Sequence, residues 1–201
     1  GKLRALLDEL ELADETVVFF TSDNGATPGA SDPDFFEACG PLRGYKGSLW
    51  EGGLRVPFIA RWPRFIPADT VTDQVGYFAD VLQTLSELAG ATTPPGMDGV
   101  SLVPTLFGPR ADREQTQHQY LYWEDDGGDA RAVRTGSWKA IRWKPKADVE
   151  LYDLSADVAE QHNVADAHPD VAARLAGYLD SAHVPPRPQI EPPRPPGRKF
   201  Q

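Results

Sequence analysis

The clearest indication of the fold is the segment Thr16-Val17-Val18-Phe19-Phe20-Thr21-Ser22-Asp23-Asn24-Gly25. Its continuous run of β-branched and aromatic residues is typical of a strand that is buried on both faces in a parallel sheet. The run ends in Asp23 and Asn24, and open α/β sheets build their ligand sites at the carboxyl ends of their strands. We therefore expect a site where this strand gives way to the following loop.

Helices and strands alternate on either side of this stretch. Leucines recur at helical spacing over about residues 2 to 12, which predicts an amphipathic helix that packs on the sheet. Residues 56 to 63 predict a second buried strand closed by a proline, and residues 77 to 89 predict a helix that stops at Gly90. The alternation indicates an α/β layer fold for residues 1–117.

The sequence pattern changes near residue 118. Short strand-like segments punctuated by glycines predict an antiparallel meander, and a helix at about 168–182 is expected to cover it; the segments are residues 120–123, 130–134, 138–143 and 150–152. We predict a small α+β subdomain at 118–183. The remaining residues, 184–201, are rich in proline and predict an extended or disordered tail.

Composition excludes several classes of protein. The formal net charge of -10 repels polyanions, so a nucleic-acid binder is not expected. We find no apolar run long enough to span a bilayer. The single cysteine, Cys39, excludes an internal disulfide framework and any cysteine-rich zinc site. Because the chain begins at Gly1 with neither an initiator Met nor a signal peptide, we expect it to be part of something larger.

Asp23 and Asn24 are the candidate metal ligands. Their side-chain oxygens suit a hard cation such as Ca²⁺. The alternative is a plain Asp-Asn-Gly turn, in which the short polar side chains bond locally and Gly25 adopts positive φ. Spacing alone leaves both interpretations open.

Lys46 is the candidate oxyanion ligand. Glycines on both sides of it let the backbone approach a ligand closely, and the ammonium group is a mobile charge with three donors for a tetrahedral group such as a sulfate ester. The alternative is a solvated lysine in a flexible loop.

These segments, taken together, resemble the sulfatase family of the alkaline-phosphatase-like superfamily. The matching blocks follow one another in family order and cover nearly all of residues 1 to 182; they are residues 16–25, 40–57, 98–104, 132–139, 150–155 and 160–163. The resemblance implies a parallel-rich α/β sheet with flanking helices, followed by a small subdomain with an antiparallel sheet and a C-terminal helix. It therefore implies the C-terminal portion of an arylsulfatase-like enzyme.

The resemblance also implies roles for individual residues. Asp23 and Asn24 match the pair that coordinates an active-site calcium, and Lys46 matches the catalytic lysine that contacts the sulfate. A formylglycine nucleophile and a further Asp pair belong to the N-terminal half of the family, which this chain lacks. We therefore expect weak calcium binding and no turnover from this chain alone. The expected substrate is a small-molecule or sugar sulfate ester, and the parent protein is expected in a periplasmic, secreted or lysosomal setting.

Two other functions stay open. The same ligands suit a phosphoester or phosphonate hydrolase of the same superfamily, because calcium and lysine would also serve a phosphoryl group. A non-catalytic module is the third hypothesis, since a sheet that lacks its neighbouring strands offers unpaired backbone for homo-oligomers.

Several nearby residues carry weaker signals. The segment Cys39-Gly40-Pro41-Leu42-Arg43 fits Cys-x-Pro-x-Arg, the short formylglycine signal. Its residues Gly40 to Arg43 already belong to the loop around Lys46 (residues 40–57, the lysine loop), so we interpret the fit as coincidence. Arg43, Glu51 and Arg55 are expected to brace this loop through ion pairs rather than to line a cleft. For His118, Trp123 and Glu124 we prefer sheet packing for the tryptophan and solvent for the other two over a role in the substrate pocket.

Overall fold

The computed structural model describes residues 1–29 and 35–185. The predicted tail at 184–201 therefore lies outside the described residues apart from its first two. The α-helices are α1 (Lys2–Glu9), α2 (Glu51–Leu54), α3 (Ala79–Leu88), α4 (Val103–Phe107) and α5 (Pro169–Ala182). The strands are β1 (Val18–Thr21), β2 (Phe58–Arg61), β3 (Leu121–Glu124), β4 (Arg131–Thr135), β5 (Trp138–Arg142) and β6 (Glu150–Asp153). Within the residues that the structure describes, none of the helices has the length and apolarity needed to cross a membrane.

The C-terminal sheet has the predicted antiparallel topology, in the order β3-β4-β5-β6. Side chains on successive residues of these strands point to opposite faces. One face packs against α5 and forms a core of six buried residues: Val133, Ala140, Leu151, Ala172, Leu175 and Leu179. The predicted meander and its covering helix are both confirmed.

The opposite face of this sheet packs against the lysine loop. Ala132, Ile141 and Tyr152 form a second core with Leu49, and Trp50 packs at its border. The Trp50 ring lies 5.5 Å from the Tyr152 ring, in an edge-to-face arrangement. Since Leu49 follows Lys46 closely in the chain, the C-terminal sheet is the support on which the candidate site loop rests.

The first sheet differs from the prediction. β1 and β2 pair antiparallel, in a register that places Phe20 opposite Ile59. Among the described residues there is no parallel strand pair. The expectation that both strands are buried on both faces is also wrong, because Phe20 and Ile59 are each about 60% exposed (61% and 60%). An apolar run indicates that a strand can be buried. The direction in which it pairs, and whether its faces are covered, depend on which other elements are present.

The helices that flank this sheet are only partly packed. α1 forms as predicted, but none of its residues is buried, so the expected packing of its leucines on the sheet is wrong here. α3 also forms as predicted and buries Asp80. The Asp80 carboxylate accepts hydrogen bonds from the backbone N–H groups of Tyr77 (2.9 Å) and Val100 (2.8 Å). Asp80 thereby ties the segment that leads into α4 to the start of α3. The α/β class is confirmed as a mixture of helices with antiparallel sheets.

Candidate functional site

Asp23 and Asn24 lie directly after β1 and line an open cleft of about 750 Å³. Asp23 is exposed and Asn24 is half-buried. The wall of the cleft is completed by residues from the loop after β1 (residues 22–27, the β1 loop), from positions 38 and 39, and from the lysine loop up to the approach to β2: Ser22, Gly25, Ala26, Thr27, Ala38, Cys39, Leu42, Gly52, Arg55, Val56 and Pro57. Asp23 and Asn24 therefore lie where we expected them, at the carboxyl end of a strand and facing a cleft.

Backbone hydrogen bonds join the Lys46 segment to the Asp23 segment. The N–H of Lys46 donates to the carbonyl of Ala26 at 2.9 Å, and the N–H of Gly25 donates to the carbonyl of Gly53 at 3.1 Å. Lys46 is exposed and is not among the residues that line the cleft. The structure thus brings the two segments together, while the roles of Asp23, Asn24 and Lys46 stay predictions.

Glycines are required where these segments meet. A Cβ atom on Gly25 would lie 1.8 Å from the carbonyl oxygen of Gly52, and one on Gly52 would lie 2.3 Å from that of Gly44. The neighbouring atoms are backbone, so they cannot rotate away. These glycines allow the loop to pack on itself and on the β1 loop, a role that differs from the close ligand approach expected of the glycines beside Lys46.

The donor groups of the cleft suit a hard cation in kind. Asp23 contributes a carboxylate and Asn24 an amide oxygen, the ligand types that calcium prefers. Their number is small, because calcium takes about six to eight oxygens. Within residues 1–29 and 35–185 no group of three or more His, Cys, Asp or Glu side chains is arranged to hold a metal. The cleft therefore fits one part of a calcium coordination shell.

Cys39 also lines this cleft. Its thiol is half-buried and lies 3.5 Å from the carbonyl oxygen of Gly52. That contact places Cys39 on the packed base of the lysine loop. We retain the interpretation that the fit of Cys39 to the formylglycine signal is a coincidence.

Glu51 braces the lysine loop through ion pairs, as predicted. Its buried carboxylate lies 3.0 Å from Lys139 Nζ and 3.3 Å from Arg134 Nη1. Arg134 and Lys139 are directly opposite each other on β4 and β5, so the two cations stand side by side on the face that carries the loop. The partners of Glu51 lie in the C-terminal sheet, a location that sequence spacing did not indicate.

Glu160 completes this buried charge cluster. One carboxylate oxygen lies 2.7 Å from Lys139 Nζ, and the other accepts a 2.7 Å hydrogen bond from the backbone N–H of Glu51. Its backbone carbonyl accepts a 2.8 Å hydrogen bond from Arg43, whose guanidinium also stacks 3.7 Å above the Trp50 ring. Burial raises the pKa of Glu160 above its ordinary value, and the nearby Lys139 opposes that rise.

Sequence reasoning missed Lys139 and Glu160. Both side chains are fully buried. Lysine is rarely buried without a partner, so a lysine in a short strand is normally assigned to solvent. The alternation of side chains between the two faces of a strand could have indicated the burial of Lys139. Lys139 stands two residues before the buried Ile141 and therefore lies on the same face of β5.

The other predicted pocket residues have structural partners. Trp123 packs at the border of the second core, as predicted. The preference for solvent is wrong for His118, whose Nε2 lies 2.8 Å from the buried Asp80 carboxylate. Glu124 is exposed, and it accepts hydrogen bonds from Tyr122 Oη and pairs with His183. Arg55 lines the cleft, contrary to the expectation that it only braces the loop.

Known proteins are similar to this chain in sequence and in architecture. Residues 45–183 match the family described as N-sulphoglucosamine sulphohydrolase, C-terminal. Because this match covers more than half of the chain, the chain belongs to that sulfatase family.

Individual relatives are also sulfatases. The chain is 40% identical over 154 residues to steryl-sulfatase of Mus musculus, covering 72% of this chain and 24% of the relative. It is 32% identical over 205 residues to N-acetylgalactosamine-6-O-sulfatase of Bacteroides thetaiotaomicron, covering 90% of this chain and 39% of the relative. The chain therefore spans well under half of the length of these two relatives.

A solved structure supports the fold. The PsFucS1 sulfatase from Pseudoalteromonas sp. superimposes with a TM-score of 0.73 at 25% identity, over 90% of this chain and 39% of that one. The agreement over most of the present chain confirms the overall arrangement of its elements.

Proposed function

We propose that this chain supplies one side of a site that hydrolyses sulfate esters, with Lys46 binding the sulfate and Asp23 and Asn24 binding calcium. The observation that carries the proposal is the pair of backbone hydrogen bonds that holds the Lys46 loop against the β1 loop, beside an open cleft. Membership of a sulfatase family supports the reaction class.

Lys46 suits the proposed role by its chemistry and exposure. An exposed lysine whose backbone is bonded to a residue of the cleft wall can extend its ammonium group toward a sulfate ester that enters from solvent. Its positive charge would stabilise negative charge on the transferring group. Lys46 is the residue that we assign to substrate binding and catalysis.

Calcium, when bound, would supply Lewis-acid stabilisation of the same charge. Asp23 and Asn24 would hold it with a carboxylate and an amide oxygen. Because two side chains fall short of the calcium shell, we propose weak binding to the chain alone. The nucleophile that we propose is the formylglycine of the family. We assign no residue of this chain to that role, so we expect the isolated chain to be inactive.

The proposed substrate is a small-molecule or sugar sulfate ester. One relative is by name a steryl-sulfatase and another an N-acetylgalactosamine-6-O-sulfatase. The cleft volume of about 750 Å³ and its open shape suit either class. We propose the broader class and assign no individual ester.

Calcium titration by calorimetry tests this function, run together with an aryl sulfate turnover assay. We expect weak binding that Asp23→Asn removes, and no turnover. The matched control is Asp69→Asn, which makes the same change at an exposed residue outside the cleft wall and should leave binding unchanged. Tight binding with turnover would contradict the proposal that the chain is incomplete, and binding that ignores Asp23→Asn would contradict the assigned ligands.

A second candidate function is association through the first sheet. The specific observation that favours it is the exposed pair Phe20 and Ile59, which are opposite each other in the register of β1 and β2 and so share a face. Exposed apolar residues on a short two-stranded sheet favour contact with another copy of the chain. Light scattering tests this candidate.

A further inference from the structure

Glu160 contacts both flanks of the loop that carries Lys46. On one flank, its backbone carbonyl accepts the 2.8 Å hydrogen bond from Arg43. On the other flank, its carboxylate accepts the 2.7 Å hydrogen bond from the N–H of Glu51. A single residue far away in the sequence therefore closes the base of this loop.

The C-terminal sheet fixes Glu160 in turn. Lys139 lies on β5, which pairs with β4 on one side and β6 on the other. Its ammonium nitrogen lies 2.7 Å from Glu160 and 3.0 Å from Glu51, so one cation holds both carboxylates. Because the cluster is buried, water competes little for these contacts.

The loop then transmits this anchoring to the β1 loop. The hydrogen bonds from Lys46 to Ala26 and from Gly25 to Gly53 are the backbone connections between the two segments. A contact path therefore runs from Lys139 through Glu160 and the lysine loop to the residues that follow Asp23 and Asn24.

We propose that Glu160 is a positioning residue, which holds the Lys46 loop against the segment that carries Asp23 and Asn24. It acts through Arg43 and Glu51 and touches no substrate. The relevance of this role to sulfate esters rests on the proposed function, whereas the contact path itself does not.

The backbone conformation of Glu160 permits a sharp test. Its φ angle is +54°, a left-handed conformation that glycine adopts without strain. Glu160→Gly therefore removes the carboxylate without adding backbone strain. Glu11→Gly is the matched control, because exposed Glu11 has a φ of +56° and undergoes the same chemical change away from the loop.

Amide hydrogen exchange followed by NMR on the full chain measures the positioning directly. In Glu160→Gly we expect the amides of Lys46 and Gly25 to exchange at least about tenfold faster, while those of β4 and β5 stay within about twofold of the unsubstituted chain. Glu11→Gly should leave both groups unchanged. Glu160→Gln keeps one acceptor oxygen for the Glu51 N–H but loses the contact with Lys139, so it should restore part of the protection at Lys46.

Three results would overturn the positioning role. The first is unchanged exchange at Lys46 and Gly25 in Glu160→Gly. The second is equal acceleration in the loop and in β4 and β5, which would make Glu160 a contributor to general stability. The third is no recovery in Glu160→Gln. Calcium titration of the unsubstituted chain and of Asp23→Asn separates the two proposals. If no calcium binding is lost in Asp23→Asn, the proposed function is contradicted, and the exchange result still decides the role of Glu160.

Discussion

Lys139 and Glu160 place an ammonium nitrogen 2.7 Å from a carboxylate oxygen at a position that solvent does not reach. Lys139 comes from the middle of the C-terminal sheet, whereas Glu160 comes from the loop between β6 and α5. The same lysine also contacts Glu51 at the start of α2. The pair therefore belongs to a cluster that joins the sheet to the candidate site loop.

Removal of the lysine should be costly. We expect Lys139→Met to lower the free energy of unfolding by about 3–5 kcal/mol, because Glu51 and Glu160 would remain buried without their shared cation. Urea denaturation followed by tryptophan fluorescence measures the change. The control is Arg113→Met, which breaks the exposed ion pair with Glu87 and should have little effect. Equal effects of the two substitutions would contradict the assigned role of Lys139.

The raised pKa of Glu160 predicts a specific pH dependence of stability. Since burial raises its pKa in the folded state, the folded chain binds this proton more tightly than the unfolded chain does. Its contribution to stability is therefore complete below the ordinary value of 4.5 and is lost as pH rises through the raised value. Glu160→Gln should remove this loss in urea denaturation measured between about pH 4 and pH 8.

Glu87 provides the control of opposite sign for this pH experiment. The hydrogen bond from Arg113 lowers the pKa of Glu87, so its contribution is present above the ordinary value and is lost as pH falls through the lowered value. Glu87→Gln should therefore lower stability by a constant small amount above the ordinary value and remove only the part of the pH dependence that lies on the acid side. A Glu160→Gln profile that runs parallel to the unsubstituted chain at every pH would contradict the prediction for Glu160.

The glycine at the junction of the two site loops should tolerate no side chain. In Gly25→Ala the new Cβ would meet the Gly52 carbonyl, so the backbone must shift, and we expect a loss of about 1–3 kcal/mol in the free energy of unfolding. Gly177→Ala is the matched control, because Gly177 lies within α5 with open space around it and should gain about 0.5–1 kcal/mol. Thermal denaturation that shows the same sign for both would contradict this account.

The elements that sequence predicted best are those with local signals. The strand-like segments predicted at 130–134 and 138–143 correspond closely to β4 and β5, and the helix predicted at about 168–182 is α5 within a residue. Local pattern also led to Asp23 and Asn24, because a strand that ends in oxygen-bearing side chains indicates a ligand site at its end. These predictions needed no knowledge of tertiary contacts.

The features that sequence missed depend on distant partners. β1 pairs antiparallel with β2, and an apolar run does not specify which strand it will pair with or in which direction. The burial of Lys139 depends on Glu51 and Glu160, and neither is close to it in sequence. A charged residue therefore looks like a surface residue until the fold brings its counter-charges to it.

The exposed face of the first sheet leads to the last prediction. Phe20 and Ile59 are opposite each other on β1 and β2 and are both largely exposed, so the chain carries an apolar surface that association would cover. We expect light scattering to show dimers or larger species that dissociate in Ile59→Lys, since a buried lysine would lack a counter-charge in such a contact. The control is Val71→Lys, which adds the same charge at an exposed apolar residue outside the sheet and should leave association unchanged. A monomeric unsubstituted chain would rule out the association candidate and leave the sulfate ester site as the proposed function.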